Sequence, residues 1–150
     1  MGYYMRFIVA DDKDVSLSKI NSGLKQIDSA YSIEFDDDAD DAADLTYNGD
    51  LYGALEINRP GDGLFDEEIE ELKEFLEDAE GERKSEVLQV LNNAKVIAAL
   101  QVLQQGRSTD EETLERIQPL WEWFLANYKG LVQADAEGYY DVSGLVIEVE

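Results

Sequence analysis

The sequence predicts a single α+β domain over residues 1–150, with a mostly antiparallel sheet of about six strands packed by a layer of about four helices. Two observations carry this. Short runs with strand-like alternation gather toward the two ends of the chain, while long stretches with apolar residues at helical spacing fill the middle. The elements therefore come in blocks and not as a regular strand–helix–strand alternation, which separates α+β from α/β architecture. A chain of 150 residues that is 44% hydrophobic has the length of one domain and enough apolar side chains for a core. Leu, Ile, Val and aromatic residues recur throughout, unlike the composition of a disordered chain.

Residues 3–10 form an apolar run that stops at Asp11 and Asp12, the profile of a first strand. Val15, Leu17, Ile20, Leu24 and Ile27 then fall mostly at helical spacing, giving a helix to about residue 29. Tyr31-Ser32-Ile33-Glu34-Phe35 alternates as a half-buried strand does. After the acidic stretch 36–44, residues 45–47 and 51–57 flank Asn48-Gly49-Asp50, and Asn-Gly accepts the positive φ angles of a type I′ hairpin turn. Arg59-Pro60-Gly61-Asp62-Gly63 breaks the chain before three helices.

The first of these, residues 65–80, carries the apolar stripe Phe65, Ile69, Leu72, Phe75 and Leu76. The second runs from a cap at Ser85 to about residue 105. Its apolar residues reach most of its circumference, so it is expected to be central and buried. The third opens on two overlapping capping boxes in Ser108-Thr109-Asp110-Glu111-Glu112 and holds Leu114, Ile117, Leu120, Trp121, Phe124 and Tyr128, with Pro119 kinking or splitting it. Extended segments at 131–134, 139–142 and 145–149 close the chain, with a turn near Glu137-Gly138. Met5 can serve as an alternative start, leaving residues 1–4 as a short leader.

Composition removes several classes of function. The chain has no His and no Cys, which excludes Ser–His and Cys–His catalytic pairs, imidazole and thiolate metal ligands, and disulfides. Its formal net charge of −23 opposes direct binding to a nucleic-acid backbone, which takes clustered Lys and Arg. Residues 87–103, the longest apolar-rich stretch, are interrupted by Gln89, Asn92, Asn93, Lys95 and Gln101 and fall short of the roughly 20 residues of a membrane span. No signal-peptide layout is present, and Arg6 stands where a myristoylation motif requires Ser or Thr, so a cytoplasmic location is expected.

The charge is unevenly placed. Residues 31–82 hold 20 acids against Arg59 and Lys73, a net of −18, whereas residues 1–30 are neutral and residues 83–150 carry −5. Two segments account for it. Residues 36–44 contain Asp36, Asp37, Asp38, Asp40, Asp41 and Asp44; helix 65–80 sets Glu67, Glu70, Glu74 and Glu77 opposite its apolar stripe. Acid recurs along residues 66–82 about every 2.4 Å of helical rise, a line density comparable with the ~1.7 Å per charge of duplex DNA. Like charges four residues apart on this helix oppose its formation. The expected function is that of a non-catalytic interaction or inhibitor protein presenting this face to a basic protein; the bland reading is a solvated face that serves solubility alone. The composition is similar to that of acidic nuclease inhibitors and DNA mimics, with no motif shared.

Other constellations are weaker. Asp36, Asp38 and Asp40 match the first, third and fifth positions of an EF-hand loop, but Asp41 replaces the required Gly and Tyr47 the closing Glu, so no specific metal site and no cofactor is expected, and weak, nonspecific binding of divalent cations is a third reading of the Asp run. Asp135, Glu137, Tyr139 and Asp141 would share a face on a continuous strand, and paired carboxylates can support acid–base chemistry. An enzyme or small-ligand domain is therefore the alternative, beside a structural domain of a larger assembly. In Trp121-Glu122-Trp123, Trp121 joins the core stripe while Trp123 projects away from it, a candidate contact for a partner or for a second copy in a homodimer.

Overall fold

A computed structural model describes residues 3–35, 41–61, 63–102, 110–135 and 137–149. The elements follow as β1 (Tyr3–Val9), α1 (Leu17–Ile27), β2 (Tyr31–Phe35), β3 (Ala42–Tyr47), β4 (Asp50–Asn58), α2 (Leu64–Glu77), α3 (Lys84–Asn92), β5 (Val96–Val102), α4 (Asp110–Asn127), β6 (Gly130–Ala134), β7 (Gly138–Asp141) and β8 (Gly144–Glu148). The α+β class stands as predicted. The strands form one eight-stranded sheet in the order β2-β3-β4-β5-β1-β6-β7-β8, every neighbouring pair antiparallel.

The largest correction concerns residues 85–105. The expected central helix is a short helix, α3, capped at Asn93, followed by β5, which lies between β4 and β1 in the middle of the sheet. Val96, Ala98 and Leu100 enter the core on one face of the sheet, and Ile97 and Ala99 the core on the other. A segment apolar all round is a buried helix or a strand covered on both faces, and β5 is the second. It adds one strand to the expected extended segments, and the sheet has eight strands where about six were expected. Tyr3 and Tyr4, read as part of a leader, belong to β1 and pair with Val102 and Gln101.

Helices cover the sheet on both faces, not in one layer. β1 and β2 run parallel, as do β5 and β6, so α1 and α4 are crossover helices. The two crossovers leave antiparallel central strands in opposite directions along the sheet, so a common hand places both helices on the same face. There Leu17, Ile20 and Leu24 of α1 and Ile117, Leu120, Trp121 and Phe124 of α4 meet Phe7 and Val9, with Phe7 and Phe124 stacked at 4.9 Å between centroids. Ser16 caps α1 by accepting from the Lys19 amide, and the Tyr128 hydroxyl donates to the Asp14 carbonyl. Pro119 lies within α4 and does not split it. The capping boxes expected at its start fall on Ser108 and Thr109, outside the described residues.

On the opposite face, α2 and α3 bury Phe65, Ile69, Leu72, Leu76, Val87 and Leu91 against Ile8, Ile97, Leu131, Tyr139 and Ile147. Phe75, expected in this stripe, is 61% exposed. At about 100° per residue it sits on the flank of α2 that also carries Glu68 and Glu71, outside the arc of the buried four. The β3–β4 turn matches its prediction: Asn48 and Gly49 take φ of 56° and 87° between the paired Tyr47 and Asp50.

Candidate functional site

The two faces of the sheet are covered unequally. Among the described residues, the core under α2 and α3 takes none from β2, β3 or β4, so no described helix covers this half of the sheet on that side. Strand alternation aims Ile33, Ala43, Leu45, Leu55 and Ile57 at the covered face. It leaves Glu34, Asp44, Ala54 and Glu56 on the open one. Register aligns them in two rows. One runs Glu34–Asp44–Ala54–Gln101–Tyr4, the other Ala42–Glu56–Ala99–Arg6–Gln133. The alanines give a low floor, and the result is a trough of about 700 Å³ with carboxylates along it. Glu34 and Asp44 are directly opposite each other across β2 and β3, a like-charge pairing that sheets avoid. Among the described residues no salt bridge reaches Glu34, Asp44 or Glu56.

The trough ends at α2 in a polar network. The Arg6 Nε donates to Glu68 Oε2 at 2.6 Å, and Nη1 donates to Gln133 Oε1 and Asp135 Oδ1, each at 2.8 Å. The Asn58 amide donates to the other oxygen of Glu68. Burial alone would lower the Arg6 pKa; the bonds to Glu68 and Asp135 more than reverse this, so the guanidinium stays charged. The guanidinium also sits 5.4 Å from the centroid of the Tyr4 ring.

The residues expected to meet a partner are placed as follows. Asp36, Asp37, Asp38 and Asp40 lie outside the described residues. Asp44 is in the trough. Asp41 is held by Arg59, whose Nη2 approaches Oδ1 at 3.3 Å and also donates to the Val15 carbonyl. Glu67, Glu70, Glu74 and Glu77 are exposed along the outer side of α2. Trp123 belongs to the other layer: a Cβ on Gly23 would fall 2.1 Å from its Nε1, and its ring meets Phe124 and Tyr128 edge-on. It closes the α1–α4 contact and is not brought together with the acids. Trp121 is 1% exposed, as expected for core. Glu34, Glu56, Gln101, Tyr4 and Arg6 were not singled out from the sequence, although the period-two pattern of 31–35 and 51–57 holds the signal for the two glutamates.

Asp135 and Asp141 are separated by the β6–β7 turn, where the Glu137 amide donates to the Ala134 carbonyl. Asp135 is committed to Arg6, and Asp141 to Arg83 at 2.6 Å and to the amide and hydroxyl of Ser143. The Ser143 hydroxyl bond, with Arg83 behind it, pulls the Asp141 pKa from 3.8 down to about 2. Between these values the unfolded chain binds the proton and the folded one does not, so Asp141 stabilises the fold above about pH 4 and loses that contribution as pH falls through about 2. Asp141→Asn is expected to flatten the decline of stability over this acid window, measured by urea unfolding at successive pH values.

Among the described residues no group of three or more carboxylates is arranged to hold a metal ion, and no helix is long and apolar enough to cross a membrane. Compared with known protein families, with curated proteins and with solved structures, the chain matches none.

Proposed function

We propose that the chain is a non-catalytic interaction protein whose acidic surface, residues 31–82, binds a basic protein. The observation that carries this reading is the open half-sheet, where Glu34, Asp44 and Glu56 line a concave surface with no salt-bridged cation among the described residues. A face that served solvation alone has no need of a concavity, nor of two carboxylates set opposite each other on neighbouring strands. The exposed acids of α2 extend the same sign of charge beyond the trough, which raises the rate at which a cationic surface is captured.

The test is the variant Glu34→Gln/Asp44→Asn/Glu56→Gln. Relief of the cross-strand repulsion is expected to raise stability by a few tenths to about 1 kcal/mol, read by urea unfolding. The wild-type chain is expected to retain a basic protein from source lysate at low salt and release it at high salt, and the variant is expected to retain much less. Retention that ignores salt, or that survives in the variant, would overturn the reading.

A further inference from the structure

We propose that Asn48, at the tip of the β3–β4 hairpin, is a site of spontaneous deamidation whose rate is set by a latch built from Asp28, Ala30 and Tyr47. Water is the one co-reactant, and no partner protein takes part. Asn48 is the chain's one asparagine followed by glycine. The main-chain nitrogen after an asparagine is the internal nucleophile for its side-chain amide, and glycine leaves that nitrogen least hindered. Asn48, Gly49 and Asp50 are all exposed, and a Cβ built on Gly49 would meet nothing within 4 Å. Among the described residues, neither the Asn48 side-chain amide nor the Gly49 N–H has a hydrogen-bond partner.

The other asparagines are held differently. Asn21, Asn92 and Asn127 lie in helices, Asn93 caps α3 and Asn58 ends β4. Asn21 accepts from the Ile33 amide, Asn58 donates to Glu68, Asn93 to the Gln89 carbonyl and Asn127 to the Trp123 carbonyl. Each is followed by a residue with a side chain.

In the reaction the Gly49 nitrogen attacks Asn48 Cγ. The N–Cγ bond forms, the Cγ–Nδ2 bond breaks, and Nδ2 leaves as ammonia carrying the Gly49 amide proton. Water then opens the five-membered imide. Addition at the side-chain carbonyl gives aspartate; addition at the main-chain carbonyl gives isoaspartate, with the backbone running through the former side chain. Either product carries one new carboxylate, and isoaspartate also adds one carbon to the backbone of a two-residue turn.

The turn itself opposes ring closure. The left-handed conformation of Asn48, at φ 56°, points the Gly49 nitrogen away from Cβ, so the tip must open before that nitrogen reaches Cγ. The segment between α1 and β2 holds the tip shut. The Asn48 N–H donates to the Ala30 carbonyl at 2.8 Å, the Ala30 N–H to Asp28 Oδ1 at 3.0 Å, and the Tyr47 hydroxyl to Asp28 Oδ2 at 2.8 Å. One carboxylate thus clamps both the strand that enters the turn and the residue that holds the Asn48 amide. Asp28 is a positioning residue and touches no reacting atom.

The experiment keeps the full chain at physiological temperature in mildly acidic and mildly alkaline buffer, digests it at intervals and weighs the peptides. Replacement of NH2 by OH is expected at Asn48 more than about tenfold sooner than at any other asparagine. It is expected to be faster in the alkaline buffer, and slower than in a free peptide of residues 45–52. Tyr47→Phe keeps the ring against Tyr31 and Arg116 and removes one bond of the latch. It is expected to speed conversion of the folded chain about fivefold and to leave the free peptide unchanged. The isoaspartyl chain, separated by its added charge, is expected to unfold at lower urea than Asn48→Asp, which carries the charge without the extra carbon.

No gain of mass at Asn48, or an earlier one at another asparagine, would overturn the site. A folded chain that converts as fast as the free peptide, or Tyr47→Phe with no acceleration, would overturn the latch.

Discussion

Replacing Arg6 with alanine is expected to cost about 3 kcal/mol or more of folding stability. The side chain is 15% exposed and ties the middle of the sheet to α2 through Glu68, to β6 through Gln133 and to the β6–β7 turn through Asp135. Its loss strands the Glu68 carboxylate, 17% exposed, with Asn58 alone for company. A buried charge without its partner costs more than the pair contributed. Arg6→Met combined with Glu68→Leu is therefore expected to recover most of the loss, since neither charge is then left uncompensated. Urea unfolding of the two single variants and the double variant gives the coupling directly. A loss below about 1 kcal/mol for Arg6→Ala would mean that water solvates Glu68 as readily as Arg6 does.

Gly130→Ala is expected to be comparably damaging, at about 3–5 kcal/mol. Gly130 pairs with Val9 where β6 joins β1, and an added Cβ would lie 1.9 Å from the Ile8 carbonyl oxygen and 3.0 Å from the Phe7 ring. Both residues are fully buried in a central strand, so the obstruction is main chain that has nowhere to move. Gly23→Ala makes a useful contrast. Its Cβ meets the Trp123 indole at a similarly short distance, but an indole can swing outward. The expected result there is a smaller loss of stability with a red-shifted Trp emission, whereas Gly130→Ala is expected to lower the urea midpoint sharply.

Most of the local structure is legible from periodicity and turn chemistry. β2 and the Asn-Gly hairpin follow from alternation and from the one dipeptide that suits a type I′ turn. The stretch 85–105 is not legible, because Val96-Ile97-Ala98-Ala99-Leu100 is apolar at every position. Such a run has no period of its own, and only a second helical layer distinguishes a strand buried on both faces from a buried helix. That layer is itself a consequence of the misread segment, so the error in the strand and the error in the layering are one error. Phe75 fails for a different reason: apolarity placed it in the stripe, but its angle on α2 places it on the flank.

For the site, local sequence locates the charge but not its shape. The acid-rich character of residues 31–82 is visible in the sequence, as is the outward face of α2. The trough is not, because it depends on β5 supplying Ala99 and Gln101 beside Glu56 and Ala54, and on β1 supplying Tyr4 and Arg6 beyond them. Asp135 and Asp141 show the opposite case. Their spacing suggests a shared face, and the β6–β7 turn sends each to a different arginine.

The position of β1 governs how the molecule can assemble in time. Both of its neighbours come from far along the chain: Tyr3 pairs with Val102, and Val9 with Gly130. The middle of the sheet therefore closes only after very long loops have been drawn in, each at an entropic cost that local hairpins such as β3–β4 avoid. Folding is accordingly expected on the slow side for a domain of this size, with a hairpin-rich flank formed early and the centre last. Until then the apolar strands of the centre are expected to stand unpaired, and the mutual repulsion of a chain carrying −23 is expected to keep such half-built molecules apart.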